Sequence, residues 1–448
     1  MLALASPVVL SELGWMAMGV VDSLMVGRIG PGALGAVSIG RAAFFGVVVF
    51  GMGLLLGLDA LVSRSFGAAD FAEGRRWLDQ GSYLAVLASV PLIVLLRLST
   101  ALLEPWGIEP AVARQAAAYI DALSWGVLPL LLYTGFRRYL QAVNRARPVM
   151  VGLLSANLLN FVANWVLVFG HWGAPRLEAA GAGWATSIAN LYLALFLAGA
   201  IAIHEREQRT GRRRSLPRPD WLRLRRLLAL GLPAAGQLVV EVAVFAAATA
   251  LAGRLDAASL AAHQIALTCA SVAFMVPLGI ASAGAVRVGQ ALGRGDPGGA
   301  RRAGWCALLL AATFMSGAAL LFVSLPGPLI RAFSADARVL AIGVTLLAAA
   351  ALFQLFDGLQ VVGTGILRGA GDTYTPFWWN LVGHWALGLP VGYLLCFGRG
   401  WGVVGLWIGW AVGLTIVGAV LLRVWIRTCR RFERRTAADT APARPYWT

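Results

Sequence analysis

Glu12, Asp22, Asp59, Glu241 and Asp357 are carboxylates inside stretches that are otherwise apolar. An ionised acid at mid-bilayer depth costs at least ~2.5–3.5 kcal/mol, so each needs a partner or a task. Asp22 lies in Met18-Gly-Val-Val-Asp22-Ser-Leu-Met-Val-Gly27, about two turns from the outer end of its helix. Asn157, Asn160 and Asn164 recur at i, i+3 and i+7 and share one helix face. With Thr186 they can complete an oxygen-lined pocket around Asp22, suited to a proton or a hard monovalent cation such as sodium. Plain interhelical hydrogen bonding, worth ~0.6 kcal/mol per contact, would use the same residues.

Glu241 sits ten residues beyond Gly231-Leu-Pro, with Gln237 one turn before it. Asp357 shares a face with Gln354, Gln360 and Thr364. Two acids on different helices can share one proton or one sodium ion, because like charges in a dry site resist ionising together. They can equally attract an organic cation, or be buried protonated for packing. Asp59, close to a helix end, reads as interfacial, and Glu12 is assigned no role. His263 and His384 read as hydrogen-bonded core residues.

The elements that must position these groups follow from composition. The chain has 448 residues, 59% hydrophobic and 13% charged, which fits a polytopic membrane protein. A span needs ~20 mainly apolar residues, and twelve stretches qualify, from 3–27 through 116–141 and 377–398 to 403–426. The four cysteines show no metal or redox spacing and read as small buried hydrophobes. No basic region precedes the first apolar run, so helix one is expected to be retained. All basic residues are arginine, and with no lysine a Walker-type phosphate loop is excluded, and ATP-driven pumping with it.

The connections alternate in charge: one side holds 28 arginines and the other eight, with only Arg41 left over. The positive-inside rule then puts both termini and the 204–226 loop in the cytoplasm. The net charge of +16 is accounted for by this asymmetry and does not call for nucleic acid. The chain also repeats itself. Gly67-x-x-Asp70-x4-Arg75-Arg76 recurs as Gly293-x-x-Asp296-x4-Arg301-Arg302, an offset of 226 that also maps Pro7 to Pro233 and Gly27-Arg28 to Gly253-Arg254. Six spans per half give parallel repeats, with substrate expected between them. The expected division is an N-lobe at 1–218 and a C-lobe at 219–448, joined by the charged segment from Glu205 to Asp220 that includes Arg212-Arg-Arg214. Gly53-x3-Gly57 and Gly405-x3-Gly409-x3-Gly413 predict close helix packing.

Taken together, several runs resemble one family: Met18 to Gly27, Gly231-Leu-Pro with Glu241, Ala261-Ala-His-Gln-Ile-Ala-Leu267, Phe353-Gln-Leu-Phe-Asp357-Gly-Leu-Gln, Leu367-Arg-Gly369 and Gly388-Leu-Pro390. These are similar to the multidrug and toxic compound extrusion (MATE) transporters, in particular their bacterial NorM-like branch, over nearly the whole chain. The resemblance implies an all-α membrane protein of twelve helices in two pseudo-symmetric six-helix bundles. It implies an antiporter of the bacterial inner membrane that exports cationic or amphipathic drugs against protons or sodium ions. By the same resemblance, Glu241 and Asp357 are the cation-coupling and drug-binding acids of the C-lobe, and Asp22, Asn160, Asn164 and Thr186 form the N-lobe site. Sodium is a candidate at Glu241, Asp357 or Asp22. Phe353 replaces a tyrosine of some sodium-coupled relatives, and Asn164 replaces an aspartate, which tilts the expectation toward protons.

The expected protein is a monomer among membrane lipids, not an enzyme, with no cofactor and no nucleic-acid partner. A lipid-linked glycan flippase would call for basic residues in a central cavity and commonly two further helices. An intramembrane enzyme using Glu241 with His263 or His384 would lack any recognisable nucleophile or metal set.

Overall fold

The structure, a computed structural model, describes residues 1–207 and 218–440. Arg212-Arg-Arg214 lies outside the described residues. The helices are α1 (Leu2–Gly27), α2 (Pro31–Leu54), α3 (Gly57–Gly67), α4 (Phe71–Thr100), α5 (Pro110–Ser124), α6 (Val127–Ala142), α7 (Ala146–Phe169) and α8 (Glu178–Glu207). Then follow α9 (Trp221–Ala252), α10 (Ala257–Gly293), α11 (Pro297–Ser324), α12 (Pro326–Arg331), α13 (Ala337–Gly369), α14 (Tyr374–Leu381), α15 (Leu389–Tyr393) and α16 (Gly402–Thr440).

Among the described residues, 11 helices are long and apolar enough to cross a membrane, and up to 12 when the bent pair α5 and α6 is taken as one span. The expected 116–141 stretch is that pair, bent by 47° just before Pro129, which has no N–H to continue the ladder. The expected 377–398 stretch is also irregular. The helix widens to i→i+5 turns over Val382–Gly388 and Leu394–Gly398, on either side of Pro390. α16 lies close against this segment because Gly405, Gly409 and Gly413 carry no Cβ; one added to Gly405 would come within 2.6 Å of the backbone nitrogen of Cys396.

The repeated Gly-x-x-Asp motif is a helix end followed by a helix start. Gly67 and Gly293 close α3 and α10, and Asp70 and Asp296 cap α4 and α11, accepting from the backbone N–H of Glu73 at 2.9 Å and of Gly299 at 2.6 Å. Such caps satisfy N–H groups that the first turn leaves unpaired. The turn residue before each cap is left-handed: Gly295 has φ 69° and its repeat-mate Ala69 has φ 59°. Asp220 and Asp256 cap α9 and α10 in the same way, and the backbone N–H groups of Arg223 and Ser259 respectively hold their carboxyls below the usual range.

Contacts divide the chain into two compact units. The first comprises Leu2–Val62 and Asp70–Ala246. Its core is α1, α2 and α4 to α8, in which α7 packs on α1 and α8, and α8 on α5 and α6. The early part of α9 joins it through glycine contacts. A Cβ on Gly57 would lie 2.9 Å from the carbonyl oxygen of Leu227, and Gly53 meets the backbone of Ala235 just as closely. Gln80 fastens the chain ahead of α9, donating to the carbonyl of Arg218 at 3.0 Å and accepting from the N–H of Asp220 at 2.9 Å.

The second unit comprises Met1, Ser63–Ala69 and the chain from Ala247 onward. α13 is its centre, packed on α10, α11 and α16. The end of α3 belongs here through a pseudo-symmetric crossing. A Cβ on Gly67 would come within 2.9 Å of the Cα of Gln290, and one on Gly293 within 2.9 Å of the Cα of Arg64. Arg64 and Gln290 are themselves 226 residues apart, so repeat-mates meet reciprocally. Arg64 also donates to the carbonyl of Ala370.

Candidate functional site

The strongest constellation lies in the first unit. α7 packs along α1, and α8 reaches the same helix, which brings three of the residues singled out in the sequence onto Asp22. The carboxylate is 4% exposed. Its Oδ1 accepts from Asn164 Nδ2 at 2.7 Å and its Oδ2 from Thr186 Oγ1 at 2.8 Å, while Asn160, wholly buried, sits against the same carboxylate. Asn164 Nδ2 also donates to the carbonyl of Asn160 at 3.0 Å, which orients its amide with N–H toward the acid. Hydrogen bonds to a charged group are worth roughly 1.5–3 kcal/mol each, so these bonds offset part of the cost of an ionised carboxylate buried away from water.

Asn157 does not join this pocket. Its Nδ2 donates to the carbonyls of Gly14 at 3.0 Å and Leu153 at 2.9 Å, tying α7 to α1 lower down. Two groups at the pocket were not anticipated. Tyr119 of α5 is buried, packs over Gly40 of α2, and interacts electrostatically with Asp22 and Arg41. Arg41 of α2 donates to the carbonyl of Gly19 at 2.8 Å, one turn before Asp22. The only sequence signal for Arg41 is an arginine inside an apolar helix; for Tyr119 there is none.

Glu12 is paired as well. It accepts from Arg137 of α6, and both side chains are buried beside Tyr133, which stacks on Trp15 at 6.0 Å. Arg137 is thus an internal cation of α6. Asp59, read as interfacial, is buried, 3.5 Å from Arg138.

Glu241 is half-buried on α9 in the first unit, and Gln237 donates to it at 3.1 Å, as its spacing of one turn anticipates. Asp357 is half-buried on α13 in the second unit. On its helix Gln354, Gln360 and Thr364 are buried; Gln360 donates to Asn380 at 2.7 Å, and Asn380 donates to the carbonyl of Pro376 at 2.8 Å. Phe353 turns to an aromatic cluster, 5.9 Å from Trp407. His263 is fully buried there. Trp407 Nε1 donates to its Nδ1 at 3.0 Å, and its Nε2 lies 3.1 Å from Thr249 Oγ1. Because an indole N–H only donates, Nδ1 must accept, and the neutral ring then carries its proton on Nε2. His263 is a satisfied core residue. His384 is also buried. Among the described residues, no three His, Cys, Asp or Glu side chains cluster as a metal site.

The family model MatE matches residues 7–166 and 233–394. The chain belongs to the MATE family. The two matched segments begin at residues 7 and 233, the same offset as the internal repeat, so one MATE unit occurs twice. Two curated relatives are named "Probable multidrug resistance protein NorM". The one from Mesorhizobium japonicum is 42% identical, covering 96% of this chain and 93% of the relative. That from Rhodopseudomonas palustris is 39% identical, covering 98% of this chain and 92% of the relative. Among solved structures, the eukaryotic MATE transporter AtDTX14 superposes with a TM-score of 0.86 over 97% of each chain at 22% identity, a likeness of fold.

Proposed function

We propose that this MATE protein is a secondary antiporter of the bacterial inner membrane that exports cationic or amphipathic drugs in exchange for protons taken up at Asp22. The observation that carries this reading is the ring of donors around a buried carboxylate on α1. A hard metal ion requires oxygen lone pairs aimed at it; here Asn164 and Thr186 turn N–H and O–H to the carboxylate, and the free oxygens nearby are the amide oxygens of Asn160 and Asn164. A proton requires only the carboxylate. The relatives named as multidrug resistance proteins support the drug side of the reading.

Protonation changes what the pocket can hold together. A carboxylate accepts from both neighbours; a carboxylic acid has one O–H that must itself donate. A proton on Oδ2 is accepted by the hydroxyl of Thr186, which rotates, while the N–H of Asn164 on Oδ1 loses its charged acceptor, so the bond between α1 and α7 weakens. The proton-loaded and proton-free forms therefore favour different arrangements of α1, which is what coupling by alternating access requires. Glu241 and Asp357 serve in this reading as the acids that attract the cationic substrate, with Gln237, Gln354 and Gln360 as neutral polar neighbours. Drug binding must in turn lower the affinity for the proton, because linkage is reciprocal.

The test is drug efflux from proteoliposomes under an imposed proton gradient and then a sodium gradient. Proton-driven efflux is expected, lost in Asp22→Asn, with Glu241→Gln and Asp357→Asn weakening drug affinity. Normal proton-driven efflux by Asp22→Asn would refute the role of Asp22.

A further inference from the structure

A cavity of about 350 Å³ opens in the first unit between α4 and α8, which both pack on α6 but scarcely on each other. Its rim is ionic. Arg75 of α4 donates through Nε to Asp79 at 3.1 Å and through Nη1 to Glu205 near the end of α8, so one guanidinium spans the gap between the two helices. Its Nη2 has no acceptor among the described residues, and 40% of the side chain is exposed. Below the rim the walls are apolar, with Leu78 and Val86 from α4, Phe136 from α6 and Ile201 from α8. These walls continue along the spans. Val90 lies one turn beyond Val86, Leu195 lies one turn before Ala198 of the cavity wall, and both are exposed on helices long and apolar enough to cross a membrane. The result is a groove with a mouth of mixed charge and an apolar tail. The repeated frame does not call for the acids, since 226 residues on from Asp79 and Glu205 stand Trp305 and Arg431.

We propose that this groove binds a phospholipid with a primary amine in its headgroup, of the phosphatidylethanolamine class. The Nη2 of Arg75 meets the phosphate, an ammonium donates to the carboxylates of Asp79 and Glu205, and an acyl chain lies along Val86, Phe136 and Ile201. One arginine and two acids sum to a single negative charge, so the mouth favours a positive group, and its mixed signs suit a zwitterion. An anionic lipid without an amine would set its phosphate beside two carboxylates with nothing to offer them. A choline headgroup has no N–H to donate, whereas a primary ammonium has three. The depth is also right for a headgroup. The rim stands at the ends of α4 and α8 that carry Arg75, Arg76 and Arg206, on the arginine-rich side that the positive-inside rule assigns to the cytoplasm. A lipid seated there bridges two helices that barely touch, and it stabilises the folded protein by mass action. The site is separate from Asp22 and does not depend on which ion drives transport.

The experiment is native mass spectrometry of the full chain, delipidated in detergent and titrated with phosphatidylethanolamine, phosphatidylcholine or phosphatidylglycerol of identical acyl chains. The wild type is expected to bind phosphatidylethanolamine about tenfold or more tightly than either other lipid, the worth of one charge-assisted hydrogen bond. Glu205→Gln should bring phosphatidylethanolamine down toward the level of phosphatidylcholine. Ala202→Trp fills the groove, leaves the charges in place and should weaken all three lipids; Ala202 is exposed, so this variant folds even if the change at Glu205 is not tolerated. Free phosphoethanolamine, a headgroup without chains, should not displace the lipid at equal concentration, and neither should ethidium. Equal binding of the three lipids by the wild type, a preference unchanged in Glu205→Gln, or lipid binding unchanged in Ala202→Trp overturns the proposal. Displacement by free phosphoethanolamine overturns it in favour of a soluble ligand, and displacement by ethidium in favour of a site for organic cations.

Discussion

The two units share one repeated frame yet differ in what stands at the position of Asp22. In the first, buried charges are met by partners: Asp22 by Asn164 and Thr186, Glu12 by Arg137, Asp59 by Arg138. In the second, the position 226 residues after Asp22 is Ala248, fully buried in an apolar cluster with Phe353, Trp407 and Trp410, around a neutral His263. The frame transfers between the halves because helix caps and glycine crossings depend on backbone geometry. The charge does not transfer, because an acid in a dry core is tolerated only where donors from several helices converge on it.

This contrast can be broken from either side. The largest effect is expected from Glu12→Gln, which strands Arg137 as an unpaired buried cation and should cost roughly 3–5 kcal/mol, read as a large drop in thermal stability in detergent; unchanged melting would show that the pair is solvated. Next, Ala248→Asp places a carboxylate inside this apolar cluster. It should cost at least ~2.5–3.5 kcal/mol and confer no new coupling site, so a stable variant with a second titrating step in transport would erase the contrast. His263→Leu leaves Trp407 Nε1 and Thr249 without their partner, at ~1–3 kcal/mol, while proton-driven efflux by the surviving protein persists.

The smallest effect belongs to the cap of α10. The Asp256 carboxyl is held below its ordinary value, so its contribution is full above the unfolded-state pKa and is lost as pH falls through the lower folded-state value. Asp256→Ala should therefore melt slightly earlier at neutral pH, and the deficit should close in acid.

The spans and the repeat were legible in the sequence because apolar length, caps and offsets are local signals. The Asp22 pocket was legible in part. Asn160 and Asn164 share a face by helical periodicity, but the same periodicity includes Asn157, which the packing sends to Gly14 instead. The pairings of Glu12 with Arg137 and of Arg41 with Gly19 join residues 125 and 22 positions apart, and no spacing rule anticipates them.

The central claim is that Asp22 carries the proton exchanged for drug. Its most direct test is proton release from purified protein in weakly buffered detergent solution on addition of a cationic drug. The account predicts release by the wild type and none by Asp22→Asn, with the variant still binding drug through Glu241 and Asp357. Equal release from both proteins would contradict it.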